Sequence, residues 1–151
     1  MDERIQRLDT VKKCENFERN AMERGRPDLA AEARQRAIEL KAAEHNASTL
    51  AEKEALQAVY AYEEQLTRKN GRTTRANRTW QMINRHGIIE AVERAVKRDT
   101  VTLGYKLLAE MGLEKFAFES VILRHPDVFS QEAVDVSRKR LAEWSSMIEK
   151  Q

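Results

Sequence analysis

Cysteine is almost missing from this sequence. Cys14 stands alone, which excludes an internal disulfide and any thiolate metal cluster. It falls at helical spacing with Val11, Phe17 and Ala21, the place of a small core residue. Proline (2) and glycine (5) are scarce and aromatic residues make up only 6%, a balance that favours helices over strands, which want more β-branched and aromatic side chains. No run approaches the roughly 18 consecutive apolar residues of a membrane span, and Met1-Asp2-Glu3-Arg4 leads into no apolar signal segment. A soluble, cytoplasmic protein with no membrane partner is therefore expected. The three histidines, His45, His86 and His125, are isolated from any paired carboxylate or cysteine at useful spacing, and no phosphate-loop, zinc or calcium motif occurs. Neither a cofactor nor a catalytic constellation is expected.

What the chain has in quantity is charge, 34% of 151 residues, beside a 41% hydrophobic fraction sufficient to build one core. The fold expected is all-α: an irregular bundle of about seven or eight helices in a single domain, with an N-terminal helical hairpin and a compact helical C-terminal part. Val11, Cys14, Phe17, Ala21 and Met22 recur at helical spacing up to Gly25, a good residue just past a helix end, and Pro27 suits the first position of the next helix. That second helix carries Leu29, Ala33, Ala37 and Leu40 inward. Thr49 and Glu52 have capping-box spacing, so a third helix starts there, buries Leu56, Val59, Tyr60 and Leu66, and fades at Asn70-Gly71. Thr73 or Thr74 caps a fourth helix that ends at His86-Gly87 and buries Ala76, Trp80 and Ile83. A fifth begins at Ile88 and is interrupted by Asp99-Thr100. Leu103, Leu107, Leu108 and Met111 mark a sixth closed by Gly112, and Phe116, Ala117, Val121 and Ile122 a seventh ended by His125-Pro126. Ser130 caps the last, where Phe129 staples onto Val134, and Val134, Ser137, Leu141, Trp144 and Ile148 form a seam for another helix.

Charge divides the chain into three. Residues 1–66 carry 11 basic and 14 acidic side chains, and residues 99–151 carry 7 and 9; residues 67–98 hold nine basic against two acidic, a net of +7. With Arg75 at zero on an ideal helix, Arg78 lies at about 300°, Arg85 at about 280° and Gln81 at about 240°, opposite Ala76, Trp80 and Ile83. Asn77 and Asn84 lie further round. Guanidinium and amide groups on one outer face suit nucleic acid, because arginine grips phosphate bidentately and reads guanine while Asn and Gln pair with adenine edges. Upstream, Arg68, Lys69 and Arg72 surround the glycine turn and add phosphate contacts. The expected interface is thus Arg68, Lys69, Arg72, Arg75, Arg78, Gln81 and Arg85, with DNA the favoured ligand over RNA.

Other readings compete. A charge run is commonly only a solvated face, but such faces intersperse signs, and no acid occurs from Thr67 to Ile89. An acidic protein partner is the alternative that remains, with the chain as adaptor or inhibitor. Leu107 to Ile122 has the apolar spacing of a helix-turn-helix around Gly112, yet its second helix would present Glu114 and Glu119 to phosphate; a structural hairpin is expected instead. Arg78, Asn84, Arg85 and His86 could cleave RNA only if they shared a face, which they do not. Among the aromatic residues, Tyr62 alone is expected to be exposed as a base-stacking platform. The seam through Leu141, Trp144 and Ile148 either packs on the domain's own core or pairs two copies of the chain.

Overall fold

The computed structural model describes residues 1–98 and 102–149. The expected interruption at Asp99-Thr100 lies outside the described residues, and so do the side chains of Leu103 and Ile148. Among the described residues the chain is all-α, with nine α-helices, one short 3-10 helix and no strand. The helices are α1 (Glu3–Gln6), α2 (Val11–Glu23), α3 (Pro27–Ala43), α4 (Leu50–Asn70), α5 (Asn77–His86), α6 (Ile88–Lys97), α7 (Thr102–Glu110), α8 (Phe118–Arg124) and α9 (Gln131–Glu149), with the 3-10 helix at Glu114–Phe116. All eight helices expected from sequence are present. The addition is α1, whose four residues are too few to show a period, although its Ile5 is completely buried.

Helix ends follow local chemistry. Pro27 opens α3. The Thr49 hydroxyl accepts the Glu52 N–H at 3.1 Å while the Glu52 carboxylate accepts the Ser48 N–H at 3.3 Å, so both partners of the box satisfy free amide donors. The Ser130 hydroxyl accepts the Ala133 N–H at 3.2 Å, and Phe129 and Val134 are both buried. At the end of α4, Gly71 takes a left-handed φ of 70° and donates to the Thr67 carbonyl, the usual glycine ending of a helix.

α4 is the spine. It packs on α3, α6, α7, α8 and the 3-10 helix, and its small residues Ala55, Ala58 and Ala61 let these neighbours approach closely. Two buried clusters include its residues: Ile38 with Leu108, Met111, Leu113 and Phe116, and Val92, Val96, Val121, Ile122, Phe129 and Val134 where α6, α8 and α9 meet; a third, Ile5, Ala21, Leu29 and Ala30, joins α1, α2 and α3. Cys14 is buried, as expected of a core residue. Met22, expected inward, is 51% exposed. In α3, Leu29 and Ala33 are buried as expected, but Ala37 and Leu40 are only partly covered while Ala30, Ile38 and Ala42 are buried instead. The reason is position: α3 lies between α2 and α4, so it buries two stripes and a single-stripe reading captures half of each.

The stretch from Leu107 to Ile122 is not a helix-turn-helix. After Gly112 come the 3-10 helix and a buried Ala117 before α8 starts at Phe118. Glu119, expected at the exposed surface, is 4% exposed. Gln35 of α3 donates to the Gly112 carbonyl at 2.9 Å and Arg34 to that of Met111 at 3.1 Å, fixing this turn to the N-terminal hairpin. The C-terminal seam packs inward: Val134, Ser137 and Trp144 are buried against the chain's own helices, with the Trp144 indole stacked on Tyr105 at 4.9 Å. No described helix is long and apolar enough to cross a membrane.

Candidate functional site

The basic segment is built around one buried carboxylate on α4. Glu63 Oε2 accepts three hydrogen bonds: from Arg75 Nε at 2.9 Å, from the Ala76 backbone N–H at 2.8 Å and from Trp80 Nε1 at 2.8 Å. Glu63 is itself 8% exposed. The turn before it is tied as well, since Thr67 Oγ1 accepts the Thr74 N–H at 2.9 Å and Asn70 donates to the Thr74 hydroxyl at 3.1 Å. Residues 71 to 76 therefore fold back along the last turns of α4 instead of starting a helix.

This alters the expected stripe. Neither Thr73 nor Thr74 caps α5, whose cap position is Ala76, and the helix begins at Asn77. Arg75 precedes the helix. Its guanidinium reaches Glu63 and lies over the Trp80 ring at 5.8 Å, with the side chain still 62% exposed. Arg78, Gln81 and Arg85 remain together on the exposed side of α5, flanked by exposed Asn77 and Asn84. Arg68, Lys69 and Arg72 are exposed at the end of α4 and in the turn. Of the residues expected inside, Ala76 is buried but Trp80 and Ile83 are only partly so; Thr79 is the buried residue of α5.

The electrostatics separate two kinds of cation. In residues 1–66, seven of the eleven basic side chains are ion-paired, namely Arg4, Arg7, Lys13, Arg26, Arg34, Arg36 and Lys41. Among the described residues, Arg68, Lys69, Arg72, Arg78 and Arg85 reach no carboxylate, and Arg75 alone of that group is paired. Further along, Arg94 pairs with Glu90 at 3.0 Å and Lys97 with Glu93 at 3.7 Å and Glu132 at 3.4 Å. Arg94 and Lys97 are thus neutralised, whereas the five cations at positions 68, 69, 72, 78 and 85 are not.

Sequence spacing could not reveal the partners of His45 and His125, which lie far along the chain. His45 stacks on Trp80 at 5.4 Å with rings 10° from parallel and shares a 2.6 Å hydrogen bond with the Tyr60 hydroxyl. His125 Nε2 lies 3.1 Å from Glu54 Oε1, which also accepts from Arg124 Nε at 2.7 Å. His86 ends α5, with Nδ1 3.7 Å from Glu90. Glu63 did leave a trace, falling four residues after Val59 and three after Tyr60 on the apolar stripe of its helix. Tyr62, expected exposed, is partly buried against Phe118 at 5.8 Å. No group of three His, Cys, Asp or Glu residues that could hold a metal ion occurs among the described residues. No protein-family model, curated protein or solved structure matches this chain.

Proposed function

We propose that this chain is a non-catalytic nucleic-acid-binding protein or accessory domain, DNA being its favoured ligand, and that Arg68, Lys69, Arg72, Arg78 and Arg85 contact phosphate with Gln81 beside them. The observation that carries this reading is the exposed cluster of five basic side chains without a carboxylate partner among the described residues, set on the end of α4 and on the turn and helix that Glu63 fixes to it. Fixed, unneutralised guanidinium groups suit a polyanion, because each phosphate contact releases condensed counterions from the nucleic acid. Arg75 takes a different role. Its bond to Glu63 makes it a positioning residue.

The test is a mobility-shift titration against duplex DNA, single-stranded DNA and RNA over a range of salt. Five phosphate contacts give an expected slope of about −4.5 in log K against log salt on duplex DNA. Arg72, Arg78 and Arg85 changed together to Glu abolish binding, whereas Arg75→Gln weakens it only slightly. No shift with any of the three ligands at low salt sinks the proposal and leaves the basic cluster to an acidic protein partner.

A further inference from the structure

Beneath the basic segment lies a cavity of about 280 Å³ walled by α4, α5, α6, α7, the 3-10 helix, α8 and α9. An engineered protein cavity of roughly 150 Å³ already admits benzene, so this space accommodates a larger guest. Its walls are mainly aromatic and aliphatic, with Tyr62 set against Phe118 on one side and Tyr105 stacked on Trp144 on another. Such a lining with few polar points is the composition of a small-molecule site.

The polar points decide the chemistry of the guest. Lys69 and Arg98 both border the cavity and are exposed, which places two cations at its edge. Lys69 reaches no carboxylate among the described residues, and the Arg98 guanidinium makes its hydrogen bond to the Met82 sulfur at 3.5 Å. Among the described residues the one acid of the lining is Glu119, which is buried and lies 3.4 Å from Arg140. Burial pushes its carboxyl above the ordinary range, and the Arg140 guanidinium beside it offsets its charge within the wall. The described charged groups around the space, Lys69 and Arg98 against Glu119, are therefore positive in balance, and the two cations are the exposed ones.

We propose that this cavity binds an amphipathic monocarboxylate, its apolar body among the rings of Tyr62, Tyr105, Phe118 and Trp144 and its carboxylate at Arg98 and Lys69. The site shares Lys69 with the proposed nucleic-acid surface, whereas Arg98 and the rings belong to it and not to that surface. The experiment is calorimetric titration of the full chain with decanoate and with decyltrimethylammonium, two probes of equal chain length and opposite charge, both below their aggregation limits. Decanoate saturates one site and the cation binds at least ten-fold more weakly. Arg98→Gln lowers decanoate affinity about ten-fold, and Ala95→Phe, which grows a ring from the α6 wall, abolishes binding while leaving the mobility shift on nucleic acid intact. Absence of a saturable signal with decanoate overturns the proposal, and so does equal affinity for the two probes. Because Arg98 is exposed, Arg98→Gln still decides the matter should Ala95→Phe fail to fold; unchanged decanoate affinity in Arg98→Gln overturns the assignment of the head group.

Discussion

The Trp80 indole N–H donates to Glu63 Oε2 at 2.8 Å across 17 residues of chain, and the same oxygen takes the Ala76 N–H and the Arg75 guanidinium. One carboxylate therefore fixes the direction of α5. Glu63→Ala leaves a buried backbone N–H and the indole N–H without their acceptor, at an expected cost of about 2–4 kcal/mol in denaturant unfolding. Trp80 emission should shift to the red as the ring loosens from His45 and Tyr60. Arg75→Ala removes the exposed end of the same network and should cost below about 1 kcal/mol. Equal losses in the two variants would show that Glu63 acts through the ion pair and not through the amide and indole bonds.

The long-range bond between His125 and Glu54 gives an acid-dependent stability. Burial alone would raise the Glu54 carboxyl, but hydrogen bonds from Arg124 and His125 outweigh it and hold the group below the usual range. A carboxylate depressed in the folded state contributes stability that is present above its unfolded pKa and lost as pH falls through the folded value. Glu54→Gln should therefore be less stable than the native chain at pH 7, by about 1–2 kcal/mol. That difference should shrink as urea melts are repeated toward pH 3. A difference that stays constant with pH would mean that the charge of Glu54 contributes nothing.

Local chemistry makes much of the fold legible in the sequence. Pro27, the Thr49 and Glu52 pair, Gly71 and Ser130 mark boundaries because each satisfies or omits a backbone group within three or four residues of itself. The basic cluster was equally plain, since composition needs no geometry. What could not be read were partners far along the chain. Thr74 looks like a helix cap, yet its amide is claimed by Thr67 and the next turn by Glu63, so α5 starts later and Arg75 leaves the stripe. Glu119 reads as a surface acid until Arg140 of α9 comes to meet it. In both cases a tertiary bond displaces the local preference.

Gly112 offers a controlled comparison with Gly25. Both take left-handed φ angles, +72° and +70°, but a Cβ at Gly112 would sit 2.6 Å from the Ala31 Cβ, while one at Gly25 would meet nothing within 4 Å. Gly25→Ala isolates the backbone cost, about 1–2 kcal/mol. Gly112→Ala adds the collision with α3, for a total of about 2–4 kcal/mol, since neither Ala31 on its helix nor the turn held by Gln35 moves freely. Thermal melts of the two variants should separate accordingly. Coincident melting temperatures would mean that α3 and the turn yield at no cost.

Glu119 should show the opposite pH trend to Glu54. Its carboxyl is raised by burial, and the Arg140 guanidinium at 3.4 Å offsets only part of that. The folded state thus holds the proton more tightly than the unfolded chain does, and stability declines as pH rises from the unfolded pKa through the folded one. Glu119→Gln removes the titrating group without emptying the site. Arg140 stays anchored through its other bonds, to the carbonyls of Val96 and Arg98. The variant should match or exceed native stability at pH 7 and lose that advantage near pH 4. A variant that is clearly weaker at pH 7 would instead make the ion pair with Arg140 a net contributor, with the Coulomb attraction exceeding the cost of burying the acid.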